Sequence, residues 1–249
     1  MTDKKTRNTK KKPLIKPPHP HQERKIPGTS EPPPKGLIDF RDGASWKIFR
    51  IMSEFTEGFE FLADLKKEVS FFGSARIKKN QPDYKEARKL ARMLGKAGFT
   101  IITGGGPGIM EAANHGATDA GAESVGLNIQ LPREQRVNPY VKHGKGFYYF
   151  FTRKVMLSAS AQAYIYFPGG FGTLDELFEI ITLIQTGKMM PIPIVLVGKK
   201  FWEGLFKWSR ENQLTADYLS EDDYDLFSIV DTAEEAFELL KDSPERPYF

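Results

Sequence analysis

The chain has 249 residues, 40% of them hydrophobic, enough for one large domain with a substantial core. It has no Cys, which excludes disulfides and thiolate metal sites, and no apolar run reaches the roughly 18 residues that a membrane span requires. The net charge of +4 is unevenly spread: residues 1–36 carry ten Lys/Arg and three Asp/Glu, leaving 26 basic and 29 acidic residues in a mildly acidic body, which argues against a nucleic-acid-binding domain.

Residues 1–36 are rich in Lys and Pro, with Lys10-Lys11-Lys12 and Pro32-Pro33-Pro34, and hold almost nothing to bury. We expect a disordered tail without the apolar core of a signal peptide, and a cytoplasmic protein. The remainder, 37–249, reads as a single domain, with 37–68 as a helical addition. Residues 44–67 place Ile48, Ile51, Met52, Phe55, Phe59 and Leu62 on one helical stripe. Trp46, Phe49 and Phe61 fall off it, a candidate surface for a partner subunit, and Gly58 weakens the case for one unbroken helix.

Beyond this point strands and helices alternate. Val69–Phe72 reads as a strand ending in Gly73-Ser74-Ala75-Arg76. Tyr84–Ala97 reads as a helix stopped by Gly98, and Phe99–Ile102 as a strand ending in the glycine-rich turn 104–108. A helix over Ile109–Asp119, a strand over Ser124–Ile129 and an irregular polar loop over 130–146 follow. Thr152–Ala161 is expected as a helix and Ala163–Phe167 as a buried strand. After the helix that begins near Leu174 come a strand at Ile192–Val197 and a helix at Phe201–Asn212. The series ends with a strand at Phe227–Val230 and a helix at Thr232–Lys241 capped by Asp231. The alternation predicts an α/β fold: a Rossmann-like, doubly wound parallel sheet with helices on both faces. Ligands bind such sheets beyond the carboxyl ends of the strands, where three glycine-bearing turns fall, at 73–76, 104–108 and 169–173.

The most informative stretch is Pro168-Gly169-Gly170-Phe171-Gly172-Thr173-Leu174-Asp175-Glu176. A strand, a glycine turn and a helix start present unpaired N–H groups and the positive end of the helix dipole to an anion. Thr173 can cap the helix or bind an anion oxygen. Glu176 lies one turn in, off the polar stripe of Asp175, Glu179, Thr182 and Thr186 and beside Ile180 and Leu183. Burial would raise its pKa, whereas the helix dipole and Arg153 would lower it, and the pattern alone leaves the sign open. Arg153-Lys154 stands on the helix just upstream; Arg suits a phosphate or a developing anion. The turn at 104–108 lacks the spacing of a dinucleotide fingerprint, and no P-loop is present. His115 reads as structural and His143 has no second ligand at metal spacing, so we expect no metal and no cofactor.

These residues resemble the LOG (Lonely Guy) family of cytokinin riboside 5′-monophosphate phosphoribohydrolases, often labelled lysine decarboxylase-like. The signature Pro-Gly-Gly-x-Gly-Thr-x-x-Glu is matched from Pro168 to Glu176, with Gly104-Gly105-Gly106-x-Gly108-x-Met110, Arg153-Lys154 and Gly73-Ser74 beside it. The likeness covers roughly 69–200. Residues 40–68, Leu131-Pro132-Arg133-Glu134-Gln135 and Asn138-Pro139-Tyr140 resemble the longer bacterial members. The resemblance implies hydrolysis of a nucleoside 5′-monophosphate to free base and ribose 5-phosphate. It also implies that Arg153 and Glu176 carry catalysis and that Gly169, Gly170, Phe171, Gly172 and Thr173 hold the phosphate. Gly73, Ser74, Gly104, Gly105, Gly106, Met110, Glu134, Lys154 and Thr182 would surround the substrate. It implies a homodimer or larger homo-oligomer. The decarboxylase label would require pyridoxal phosphate on a lysine, and no lysine stands beside a recognisable cofactor site. A broad purine or pyrimidine nucleotide nucleosidase competes with a cytokinin-specific enzyme. A non-catalytic nucleotide carrier and an RNA-associated protein using the basic tail are the readings from other classes.

Overall fold

The structure is a computed structural model, and it describes residues 44–130 and 137–244. The basic tail and Glu134 lie outside the described residues. Seven strands form one all-parallel sheet: β1 (Glu68–Phe72), β2 (Thr100–Thr103), β3 (Ser124–Ile129), β4 (His143–Phe147), β5 (Ala163–Tyr166), β6 (Ile194–Val197) and β7 (Ser228–Val230). Their order is β4-β3-β2-β1-β5-β6-β7. The order reverses between β1 and β5, which makes their carboxyl ends the switch point of a Rossmann-like sheet.

The helices are α1 (Ala44–Ala63), α2 (Pro82–Lys96), α3 (Ile109–Ala120), α4 (Phe150–Ala159), α5 (Phe171–Gln185), α6 (Lys199–Ser209) and α7 (Ala233–Leu240). Strand residues alternate between two cores, as a two-residue side-chain period requires. Val69, Phe71, Ile165 and Val195 face α2, α3 and α7. Phe72, Tyr164, Tyr166 and Leu196 face α4, α5 and α6. Among the described residues no helix is long and apolar enough to cross a membrane.

Four expectations are corrected. The loop expected over 130–146 contains β4, in register with β3 from Val125↔His143 to Ile129↔Phe147. Its sequence, HGKGF, has little strand propensity, and the pairing is imposed by the β3 backbone. The helix expected to run to Asn212 gives way after Ser209 to a π turn at Arg210–Leu214. Asp231 caps a helix other than the one it precedes: its carboxylate accepts the Lys199 N–H at the start of α6, while Thr232 caps α7.

The fourth concerns α1, which is unbroken through Gly58 and packs with only part of the expected stripe: Phe55 and Leu62 lie against the core and Ile51 is half-buried. Glu54 and Gly58 are buried, whereas Ile48, Met52 and Phe59 are exposed along with Trp46 and Phe49. Phe61, expected off the packed face, is half-buried against the core. The cause is close approach: a Cβ on Gly58 would come within 2.5 Å of the Met156 sulfur on α4.

The turns after β1, β2 and β5 are joined by backbone bonds. Ser74 N–H donates to the Pro168 carbonyl at 3.0 Å, and Ile109 N–H donates to the Ser74 carbonyl at 3.1 Å. Gly108 sits between them with φ +72°, its α-carbon facing the Ser74 carbonyl. Gly108→Ala would both strain this dihedral and drive a Cβ into Ser74 backbone, so it should cost at least about 2 kcal/mol. Chemical denaturation reads the loss; an unchanged midpoint would contradict the packing described.

Candidate active site

One side of the region is built on the start of α5. Gly170 is the N-cap and no side chain caps the helix; the Thr173 N–H donates to the Gly170 carbonyl at 3.0 Å, which leaves the Phe171 and Gly172 N–H groups without an intrahelical or side-chain partner. Cβ atoms on Gly170 or Gly172 would meet nothing, so the approach to these N–H groups is open. Thr173 does not cap α5; its side chain lies over Gly169, which has no Cβ to block it. Backbone donors and the positive end of a fifteen-residue helix therefore face an accessible space.

One turn further in, Glu176 is 7% exposed, and one of its carboxylate oxygens is enclosed without a hydrogen-bond partner. Its backbone carbonyl is held by the Tyr166 hydroxyl at 3.2 Å. Burial pushes the carboxyl up to about 7, assisted by Glu179 and opposed by Lys154 and Arg153. This settles the sign left open by the pattern: enclosure outweighs the nearby cations.

Arg153 comes from α4 on the other side. Its Nε donates to the Leu127 carbonyl at 2.7 Å. Its terminal nitrogen lies against Gly104, where a Cβ would approach it within 2.5 Å. Burial lowers its pKa while the charge of Glu176 raises it, and a guanidinium in such a place remains charged. The structure thus brings Arg153, Glu176, Gly104 and the α5 turn to one region. Met110 packs under Gly104 and Gly106, and Gly73 abuts Ile109 at the start of α3.

Lys154 and Thr182 are placed differently. The Lys154 ammonium binds Asp175 at 2.6 Å and Glu179 at 3.0 Å. Burial would lower it, but these two carboxylates more than offset that and raise it. Thr182 is exposed, nearly two turns past Glu176, or ~9 Å along the axis. Both line an open groove with Phe171, Leu174 and Phe178. Phe171 itself is 92% exposed. Among the described residues no cluster of His, Asp or Glu is placed to hold a metal ion.

Three asparagines escape the pattern reading. Asn128, at the end of β3, donates to the Gly104 carbonyl at 3.1 Å, and its own carbonyl oxygen is buried without a partner. Asn138 donates to the Gly106 carbonyl and to Asn114, and its N–H donates to the Gly105 carbonyl at 2.8 Å. Asn114 in turn accepts from Thr103. Together they fix the turn against which Arg153 rests. A lone Asn within the apolar run of β3 was the available signal for Asn128.

Comparison with known proteins bears on this geometry. A family model described as "possible lysine decarboxylase" matches residues 110–240, just over half of the chain. The protein named cytokinin riboside 5′-monophosphate phosphoribohydrolase LOG, of Oryza sativa subsp. japonica, is 34% identical over 123 residues, 47% of this chain and 49% of that protein. The protein named cytokinin riboside 5′-monophosphate phosphoribohydrolase LOG7, of Arabidopsis thaliana, is 32% identical over 126 residues, 49% and 57% of the two chains. The chain spans about half the length of the curated relatives it matches. Among solved structures, TM1055, a structural-genomics target, superposes with a TM-score of 0.53 at 22% identity, over 70% of this chain and 98% of that one. The molybdenum cofactor carrier protein of Chlamydomonas reinhardtii gives 0.52 at 21%, over 71% and 96%. At these identities the structural likeness is one of fold.

The raised pKa of Glu176 has a consequence for stability. Between its ordinary 4.5 and about 7, the folded chain retains a proton that the unfolded chain releases. Stability from this group is therefore present below 4.5 and lost as pH rises through about 7. Glu176→Gln should be more stable than wild type at pH 8, by roughly 1–3 kcal/mol, and the advantage should shrink toward pH 5. Urea unfolding at the two pH values checks this; a pH-independent difference would contradict it.

Proposed function

This chain belongs to the LOG family, and from that membership and the site geometry we propose that it hydrolyses the N-glycosidic bond of nucleoside 5′-monophosphates, giving free base and ribose 5-phosphate. The observation that carries the reading is a buried carboxyl whose pKa is raised to about 7, one turn inside a glycine-bounded helix start without a side-chain cap and within the field of the half-buried Arg153.

The roles follow from charge. The 5′-phosphate binds the first-turn N–H groups of α5, which fixes the ribose against Glu176. Breaking the C1′–N bond leaves positive charge on the ribose, as in O-glycoside cleavage, and ionised Glu176 stabilises it. Water attacks C1′, and Glu176 accepts its proton. The bond's electron pair leaves with the base, which takes up a proton. A carboxyl near 7 is matched to taking a proton at neutral pH. Arg153 favours the departing base or holds the phosphate. Decarboxylation through a lysine Schiff base has less support: the site's lysine, Lys154, is held protonated by two carboxylates, the wrong state for attack.

We assign AMP and cytokinin riboside monophosphates as substrates, and the cytoplasm as the place of work, which cell fractionation would check. Wild type incubated with AMP should release adenine and ribose 5-phosphate in equal amounts, and Glu176→Gln should keep the fold and lose about 100-fold or more in turnover. Tight nucleotide binding with no base released over hours would instead favour a carrier. We also propose a homo-oligomer, because Trp46, Ile48, Phe49 and Met52 on α1 leave apolar surface open. Light scattering tests this; a monomeric mass at micromolar concentration would contradict it.

A further inference from the structure

The N-terminal helix α1 makes a contact that docking alone does not require. Glu54 is 8% exposed, and its carboxylate accepts the N–H groups of Tyr148 at 2.8 Å and Tyr149 at 3.3 Å and the Thr152 hydroxyl at 2.6 Å. Tyr149 is the N-cap of α4, and α4 has no side-chain cap of its own. A carboxylate from a distant helix thus binds the N-cap N–H, the N–H before it and the Thr152 hydroxyl of the first turn, and sets negative charge at the positive end of the α4 dipole. Burying a carboxylate carries a desolvation cost that an apolar side chain docking the same helix would avoid.

What that cap secures is the first turn of α4. Arg153 is the fourth residue of α4, and its N–H makes the bond to the Tyr149 carbonyl, at 3.3 Å, that closes this turn. Thr152, which binds Glu54, is its immediate neighbour. Helix ends fray unless their first N–H groups are satisfied, and a frayed first turn would release the Arg153 backbone. The guanidinium has little tolerance for such movement, since it must reach both the Leu127 carbonyl and Gly104. Two further contacts hold α1 in register with this connection. Glu57 pairs with Lys145 on β4, and Arg50 lies 4.1 Å over the Tyr148 ring. Gly58 admits Met156, one turn along α4, against the α1 backbone.

We propose that Glu54 is a positioning residue, whose carboxylate caps α4 from the N-terminal helix and so holds Arg153 at the site. Its kinetic consequence rests on the hydrolase reading above; its structural consequence does not. The test compares Glu54→Ala, Glu54→Gln and, as a control on the same helix, Glu57→Gln, which breaks the β4 ion pair and leaves the α4 cap intact. Two readouts are taken: turnover of AMP, and hydrogen exchange of the Arg153 Nε–H by 15N NMR. Glu54→Ala should lower kcat by about 10- to 100-fold, the scale of a misplaced catalytic group. It should also speed Arg153 Nε exchange by about 10-fold or more, as expected for a loosened bond to Leu127. Glu54→Gln keeps an acceptor for the Tyr148 N–H and a donor for the Thr152 oxygen but turns its amide N–H toward that of Tyr149, and should recover only part of both. Glu57→Gln, which loosens the register of α1 without touching the Glu54 contacts, should change both far less than Glu54→Ala. If Glu54→Ala does not fold, Glu54→Asp, one methylene shorter, carries the same comparison. Should wild type release no base from any nucleotide, the hydrolase reading fails and the exchange rates alone decide the role of Glu54. Exchange and turnover in Glu54→Ala no different from Glu57→Gln would overturn the proposal.

Discussion

Placing a carboxyl and a guanidinium together out of water is costly for each ion, and the organisation of this site follows from how that cost is offset. Arg153 spends its Nε on a strand carbonyl and lays one terminal nitrogen against a glycine, while Glu176 keeps one oxygen without a partner. The result is asymmetric. The arginine stays charged, and the carboxyl is pushed to about 7, where it can gain or lose a proton near neutrality. A fully satisfied carboxylate would be a stronger structural element and a weaker base. On the hydrolase reading proposed above, Glu176 is a stability cost accepted for chemistry, as unsatisfied groups at functional sites often are.

The sheet supplies the frame for this pair. At the switch point between β1 and β5, loops leave the sheet in opposite directions and open a crevice, and backbone bonds through Ser74 and Pro168 tie its sides. The pair itself comes from helices on one face: α5 carries Glu176, and α4 carries Arg153 under the cap from α1. On the opposite side, Asn114, Asn128 and Asn138 hold the turn at 104–106 as a rigid stop for the guanidinium. Positioning in this protein thus rests on polar groups buried at strand and helix ends, with the two apolar cores serving as support.

Much of this was legible in the amino-acid pattern. Pro168–Glu176 declares itself because strand, glycine turn and helix start are contiguous, and local chemistry decides each of them. Arg153 could be nominated because it lies just upstream of that stretch. The features that escaped depend on partners distant in the chain. β4 has a weak strand sequence and exists because β3 offers it a ladder. The α1 stripe was half right, because close approach at Gly58 turns the helix so that Phe55 and Leu62 pack while Ile48, Met52 and Phe59 are left exposed. Glu54 was invisible because its acceptor role is defined by residues almost a hundred positions away. The pKa of Glu176 stayed open because burial and nearby cations act in opposite directions, and only the enclosed geometry weighs them.

The most direct test of this account is the pH dependence of kcat for ribose 5-phosphate release from AMP at saturation. The account predicts a rise with an apparent pKa at or above about 7, because a bound phosphate dianion near Glu176 raises its pKa further. A profile already level at pH 5, as a solvated carboxylate would give, or no ribose 5-phosphate at any pH, would contradict it.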